Sequence, residues 1–138
     1  MPAKDIFHQA VRHALEKDGW TITDDPLLID LSEVKVFIDL GAERLIAAER
    51  GNEEIAVEVK SFVGGSTISE FHTALGQFIN YRLFLRRSNS QRLLYLAVPS
   101  ETYAEFFTGE IIGQVLKENA LKIIVYEPAM EVIEKWIN

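Results

Sequence analysis

Cysteine is absent from this sequence of 138 residues, which excludes a disulfide framework and any zinc site built on thiolates. The three histidines are too scattered to predict a histidine zinc site. No apolar run approaches the ~20 residues of a membrane span, and residues 1–5 lack the apolar segment of a signal peptide. We therefore expect a cytoplasmic protein with no membrane association.

Positive charge is also scarce, since 14 Lys and Arg stand against 21 Asp and Glu and give a net charge of −7. This balance argues against a protein that coats nucleic acid nonspecifically, because such binding needs many cations on phosphates. It does not exclude a nuclease, whose acids are neutralised by a metal ion where they meet DNA. The exception is a basic patch at Arg82, Arg86, Arg87 and Arg92, which is equally well explained as a helix end whose cations favour the helix dipole.

The composition, with 48% hydrophobic and 25% charged residues, is that of a globular protein, and the length predicts a single domain over residues 1–138. An apolar stripe through Phe7, Val11 and Leu15 predicts a helix over 3–17. Short strands are expected at 20–23 and 27–31, with a turn at Asp24-Asp25-Pro26 between them. Two long extended segments follow, and Gly51-Asn52 between them predicts a β-hairpin.

The second half of the chain alternates helices and strands. Thr67-x-x-Glu70 matches a capping box and begins a helix that runs to about Arg87. The buried stripe expected on that helix is Phe71, Leu75, Phe78, Ile79 and Leu85. The later elements predicted are a strand at 92–98 inside the sheet, helices at 101–107, capped by Ser100, and 110–119, a strand at 121–126 and a short closing helix near 132–137. Together these elements predict an α/β domain with a mixed sheet, because the hairpin is antiparallel and the helical crossover requires a parallel pair.

Two charges interrupt the strand that follows the hairpin turn. Ile55, Val57 and Val59 give one apolar face, whereas Glu58 and Lys60 share the other. An acid beside a lysine on one strand face can hold a divalent metal and an attacking water against a phosphodiester. The alternative is an edge strand with a solvated, salt-bridged face.

Asp39 is a second charge in an otherwise apolar strand, and we keep it as the first candidate for a second metal ligand. If Gly51-Asn52 is a two-residue turn, Leu45 lies opposite Glu58 and Glu43 opposite Lys60. Asp39 then points to the same face but lies roughly 13 Å farther along the strand than Glu43. Either the chain bends near Gly41, or Glu43 is the second acid.

Gln77 is a further candidate, because the helix that carries it follows the Lys60 strand after a short loop. On a polar stripe with Thr73 and Tyr81, its amide could orient a water or a phosphate. An exposed residue without function is the alternative. On the first helix, His8, Arg12 and Glu16 share a stripe that a solvated helix face would also explain.

The motifs Ile38-Asp39-Leu40 and Glu58-Val59-Lys60, followed by a helix bearing Gln77, resemble the PD-(D/E)xK nuclease superfamily, whose core is αβββαβ and whose acids bind Mg²⁺. More narrowly, the chain resembles the XisH family, the fdxN element excision controlling factors of cyanobacteria. The segments that carry this resemblance are residues 19–26, 38–43, 47–51, 55–62, 74–77 and 94–99.

The resemblance implies a restriction-endonuclease-like fold and a part in programmed excision of a DNA element. It implies Asp39 and Glu58 as metal ligands, Lys60 as the catalytic lysine and Gln77 as a supporting residue, with Mg²⁺, or alternatively Mn²⁺, as the cofactor. The expected partners are a second controlling factor of the XisI family, a site-specific recombinase and DNA. A homo-oligomer is left open.

This sequence departs from the superfamily pattern in three places. Ile38 stands where the superfamily name has proline, and 19 positions separate Asp39 from Glu58. The first-helix acid of many such nucleases is matched only by Glu16. We therefore retain two alternatives to an excision factor with a hydrolytic site: a binding module of nuclease fold that works through XisI, the recombinase or DNA, and the nuclease of a toxin and antitoxin-like pair.

Overall fold

The computed structural model describes residues 6–29, 31, 45–88 and 90–138. Its elements are α1 (His8–Lys17), β1 (Thr21–Leu27), β2 (Leu45–Arg50), β3 (Glu53–Val59), α2 (Thr67–Arg87), β4 (Leu93–Pro99), α3 (Ser100–Thr102) with a π-helical turn (Tyr103–Phe107), α4 (Glu110–Glu118), β5 (Ile123–Glu127) and β6 (Val132–Ile137). The order from α1 to β4 is helix, three strands, helix, strand, as expected for an αβββαβ core. The α/β class is confirmed.

The six strands form one mixed sheet in chain order, β1-β2-β3-β4-β5-β6. β1, β2 and β3 pair antiparallel, β3, β4 and β5 pair parallel, and β6 returns antiparallel to β5. β4 therefore lies inside the sheet, as its continuous apolar run predicts. The carboxyl ends of β3, β4 and β5 meet at one edge, where ligands of α/β proteins commonly bind.

The hairpin register is the one predicted from the two-residue turn. Arg50 pairs with Glu53 and Leu45 with Glu58. Gly51 has a φ of +60°, a conformation that glycine adopts without a Cβ clash. The turn therefore fixes which residue of β2 faces Glu58.

Helices cover both faces of the sheet. Ala56, Leu96 and Ile123 pack under α2, whereas Val57, Ala97 and Ile124 pack on the other face with α1. The buried residues of α2 are Phe71, Ala74, Phe78, Tyr81 and Leu85. The predicted stripe was wrong at Ile79, which is 39% exposed, and Leu75 is only partly buried.

The predicted turn at Asp24-Asp25-Pro26 was wrong, because β1 continues through it. The pairing of β1 with β2 is irregular between Ile22 and Asp24 and again between Asp24 and Leu27. Such bulges let an edge strand accommodate proline, which lacks the N–H that a regular ladder uses. The strand expected at 27–31 was also wrong, since residues 28 and 29 lie beyond the end of β1.

The predicted closing helix was wrong as well, because Val132–Ile137 is a strand. Tyr126 pairs with Ile133, but Val125 pairs with Lys135, so Glu134 is an extra residue on β6. This bulge places Ile133 and Trp136 on one face although they are three residues apart. A strand with that spacing resembles a helix in sequence.

α2 and α3 begin one residue earlier than predicted, whereas α1 begins only at His8, after a turn at residues 6 and 7. Ser66, not Thr67, is the N-cap of α2, and its hydroxyl accepts from the Ser69 N–H at 3.3 Å. Glu70 instead accepts from the Gly64 N–H at 3.0 Å. Ser100 is the first residue of α3 rather than its cap. Within the described ranges, no helix has both the length and the apolar character needed to cross a bilayer.

Candidate functional site

Glu58 is a buried carboxylate on a central strand. It is the next-to-last residue of β3, flanked by Leu45 of β2 and Leu96 of β4, and it is 1% exposed. β3 is not an edge strand, so the solvated salt-bridged face considered from the sequence is wrong. A carboxylate at this depth is costly unless its charge is compensated, so it requires a structural or chemical role.

Lys60 follows the end of β3 and is held through its backbone. Its N–H donates to the Ala97 carbonyl at 3.2 Å, and its carbonyl accepts from the Tyr126 hydroxyl at 3.1 Å. These bonds fix the Lys60 backbone against β4 and β5. Alternation along an extended chain directs position 60 to the same side as position 58, and the Lys60 residue is half-buried.

Gln77 lies on α2, which packs on the Glu58 side of the sheet. The residue is half-buried, and its Oε1 is inaccessible to solvent and has no hydrogen-bond partner among the described residues. Gln77 is therefore not the exposed polar residue that the sequence left as an alternative. A buried amide oxygen can accept a hydrogen bond from water or bind a hard cation such as Mg²⁺.

Of the remaining predicted site residues, only Glu16 is among the described residues. Asp39 and Glu43 lie outside the described residues, as does the bend expected near Gly41. Glu16 is exposed on α1, and α1 packs on the face of the sheet opposite Glu58. Glu58, Lys60 and Gln77 are therefore the part of the predicted site that the structure places.

No group of three or more His, Cys, Asp or Glu side chains that could hold a metal ion occurs within residues 6–29, 45–88 and 90–138. The Glu58 carboxylate and the buried Gln77 amide oxygen are nonetheless oxygen ligands of the type that Mg²⁺ prefers. A Mg²⁺ site at Glu58 therefore fits in donor chemistry and would take its second carboxylate from Asp39 or Glu43.

A groove of about 520 Å³ opens beside this region, at the carboxyl edge of the parallel strands. Phe7, Phe62 and Phe106 contribute apolar walls, and no cation is among the described residues that line it. Its acids are Glu101, Glu105 and Glu127. Sequence reasoning missed this groove because its lining comes from segments far apart in the chain.

A second missed feature is a buried ionic cluster between α1 and β1. The His8 Nε2 lies 2.8 and 2.9 Å from the two Asp25 carboxylate oxygens, and the Arg12 guanidinium donates to the same carboxylate at 2.8 Å. Burial alone would raise the pKa of Asp25, but hydrogen bonds and charge from His8 and Arg12 lower it below its ordinary value. The stripe shared by His8 and Arg12 was the available signal, although nothing in the sequence pointed to Asp25.

Comparison with known proteins covers nearly the whole chain. The model of the family described as XisH protein matches residues 1–134. The chain is similar to the crystal structure of an XisH family protein from Nostoc punctiforme PCC 73102, with 54% identity, a TM-score of 0.85, and coverage of 97% of this chain and 100% of that one. No curated protein matches the chain.

The chain is also similar to a second crystal structure, that of an fdxN element excision controlling factor protein from Anabaena variabilis. The identity is 52% and the TM-score 0.84, and the match covers 96% of this chain and 98% of that one. These likenesses extend across the helices and strands that carry Glu58, Lys60 and Gln77.

Proposed function

This chain belongs to the XisH family, and on that premise we propose that it is a controlling factor for excision of a DNA element with a PD-(D/E)xK-type site for Mg²⁺-dependent phosphodiester hydrolysis. The observation that carries the proposal is the position of Glu58. It is a carboxylate, 1% exposed, at the carboxyl end of a central strand and two residues before a lysine whose backbone is fixed. The name of the relative from Anabaena variabilis supports the part in excision.

Each residue would have a separate task. Bound Mg²⁺ supplies charge neutralisation at the phosphate and acidifies a water molecule. Glu58 would hold the ion together with Asp39, or Glu43 in its place. The Lys60 ammonium would stabilise the negative charge that develops on the phosphate, and the Gln77 Oε1 would orient the water by accepting a hydrogen bond from it.

Cleavage of plasmid and linear duplex DNA in Mg²⁺ or Mn²⁺ tests the proposal. Glu58→Gln keeps the side-chain volume but removes the charged ligand, and Lys60→Met removes the ammonium while keeping an apolar stem. We expect each to lower the cleavage rate by roughly a hundredfold or more, because each removes charge stabilisation from the transition state. Glu54→Gln is the matched control, since Glu54 lies on the same strand with its side chain 47% exposed.

Urea denaturation of each variant shows whether its fold is intact. Cleavage that survives both Glu58→Gln and Lys60→Met would contradict the proposal, and so would its absence from the unaltered protein in both metals.

The acidic groove favours a second candidate, a binding module of nuclease fold without catalysis. Groove acids Glu101 and Glu105 form no ion pair within the described part of the chain, and a net charge of −7 opposes extensive contact with DNA. A partner protein with basic and apolar side chains would complement these walls. An XisI-type factor or a recombinase that co-purifies with the protein in the absence of any cleavage, equally with Glu58→Gln, would support this candidate.

A further inference from the structure

A second cavity, of about 270 Å³, lies at the opposite edge of the sheet, where β4 and β5 begin. Its floor is apolar and includes Phe78, Leu85 and Leu94. Four cations line it, and there is no carboxylate among the described residues that do so. These cations are Arg82, Arg86, Arg92 and Lys122.

Arg82 is held in a fixed orientation. One terminal nitrogen of its guanidinium donates to the carbonyls of Asn119 at 2.7 Å and Ala120 at 3.2 Å, and the group lies 5.2 Å from the centre of the Phe78 ring. A guanidinium has five N–H donors, so these two bonds leave three for a ligand. Arg82 is therefore preorganised without being neutralised.

Three of the four cations of this cavity have no carboxylate partner among the described residues. Arg12 and Arg50 pair with carboxylates, and so does Arg92, which also donates to two backbone carbonyls. Arg82, Arg86 and Lys122 form no ion pair with any carboxylate in residues 6–29, 45–88 and 90–138. In a chain with 21 acids, three such cations around one cavity leave a local positive charge that an anion would neutralise.

We propose that this cavity binds a phosphate group, and specifically a backbone phosphate of a nucleic acid. The Ser90 Oγ accepts the Arg92 N–H at 3.2 Å, which leaves its proton to donate to a ligand. Two guanidinium groups, an ammonium and a hydroxyl suit the several acceptor oxygens of a tetrahedral phosphate better than a planar carboxylate. The apolar floor strengthens these interactions by lowering the local dielectric. The choice of nucleic acid over an acidic protein rests on the proposed role in DNA excision.

The test measures binding of a fluorescent DNA duplex to the full chain by anisotropy, with a chelator present so that no divalent metal contributes. Arg86→Gln and Lys122→Gln each remove one cation of the cavity, whereas Arg87→Gln is a control of equal charge that lies beside Arg86 but does not line the cavity. We expect each cavity variant to weaken binding roughly tenfold and to reduce the salt slope by about 1. The Arg87→Gln variant should change affinity by less than about twofold.

Inorganic phosphate and a polyglutamate peptide of equal charge distinguish the sources of negative charge. Phosphate should displace the duplex from the unaltered protein with greater effect than the same ionic strength of chloride, and Lys122→Gln should lose this difference. A peptide that binds more tightly than the duplex would overturn the proposal in favour of an acidic protein ligand. Equal losses in all three variants would overturn it in favour of diffuse charge.

Failure of the hydrolytic proposal is separable from failure of this one. The binding assay contains a chelator, so its outcome does not depend on a metal ion at Glu58, which is at the other edge of the sheet. If Arg86→Gln and Lys122→Gln lose binding and Arg87→Gln does not, the phosphate site is supported even if no cleavage is ever seen. No detectable binding by the unaltered protein would overturn the phosphate site. The hydrolytic proposal would then still be tested by the cleavage assay.

Discussion

At the residue scale, Asp25 shows how a buried charge is kept by its neighbours. Its side chain is 3% exposed, and two cationic or hydrogen-bonding groups from α1 reach its oxygens. The cluster joins the first helix to the edge strand β1, whose pairing with β2 is irregular on either side of Asp24. Sequence patterns find a stripe on α1 but cannot find a partner on another element.

Asp25→Asn should destabilise the protein by about 2 to 3 kcal/mol, because it leaves the buried His8 and the Arg12 guanidinium without their anion. Urea denaturation measures the change. Asp24→Asn is the control, since Asp24 is 51% exposed and lies 3.9 Å from Arg92, and it should cost less than about 0.5 kcal/mol. Equal effects of the two substitutions would contradict the role assigned to the cluster.

The same carboxylate predicts a pH dependence. The pKa of Asp25 in the folded protein is lowered from its ordinary value of 3.8, so near that pH the unfolded chain binds more protons. Its contribution to stability is complete above the ordinary pKa and is lost as the pH falls through the lower folded value. The stability difference between the unaltered protein and Asp25→Asn should therefore shrink as the pH is lowered below about 3.8. A difference that grows on acidification would contradict this assignment.

At the element scale, the sequence predicted helices and hairpins well where local rules decide them. The Gly51-Asn52 turn gave the register that places Leu45 opposite Glu58, and the apolar run of β4 gave its central position. The sequence-based prediction failed for β1 and β6, where the pairing between strands is irregular. A bulge gives β6 the spacing of a helix, and bulges carry β1 through a proline.

The cap of α2 gives an element-scale prediction. Ser66→Ala should lower the free energy of unfolding by about 1 kcal/mol, because the Ser69 N–H loses the hydroxyl that accepts from it. Thr67→Ala, one residue later, should change it by less than about 0.5 kcal/mol. Chemical denaturation measures the free energy of unfolding of both variants. A larger loss from Thr67→Ala than from Ser66→Ala would contradict Ser66 as the N-cap and favour Thr67, as the sequence pattern predicts.

At the scale of the whole molecule, the two cavities have opposite charge and lie at opposite edges of the sheet. The acidic groove includes Pro99 and the basic cavity includes Leu93, which are roughly 20 Å apart along β4. Three arginines of the basic patch predicted from the sequence line the cavity: Arg82, Arg86 and Arg92. Arg87 does not line it. The fourth cation of the cavity is Lys122, which immediately precedes β5. The sequence alone could not predict that Lys122 lies beside the arginines of α2, because no local pattern relates the two segments.

The candidate hydrolytic site also has features that the sequence predicts and features that depend on tertiary packing. Glu58 and Lys60 were recognisable from strand alternation. Gln77 was a candidate from its place on a polar stripe of the following helix, and the resemblance supported it. The burial of Glu58 and the inaccessible Oε1 of Gln77 depend on packing between α2 and the sheet, which sequence does not reveal. Asp39 and Glu43 stay predictions, as their segment lies outside the described residues.

The most direct test of the hydrolytic site is Mn²⁺ binding, measured by electron paramagnetic resonance as the fraction of ion bound during a titration. The unaltered protein should bind Mn²⁺ at a site that Glu58→Gln weakens by more than roughly tenfold, whereas Glu54→Gln leaves it unchanged. Binding that is equal in Glu58→Gln and the unaltered protein, or absent from both, would contradict a metal site at Glu58.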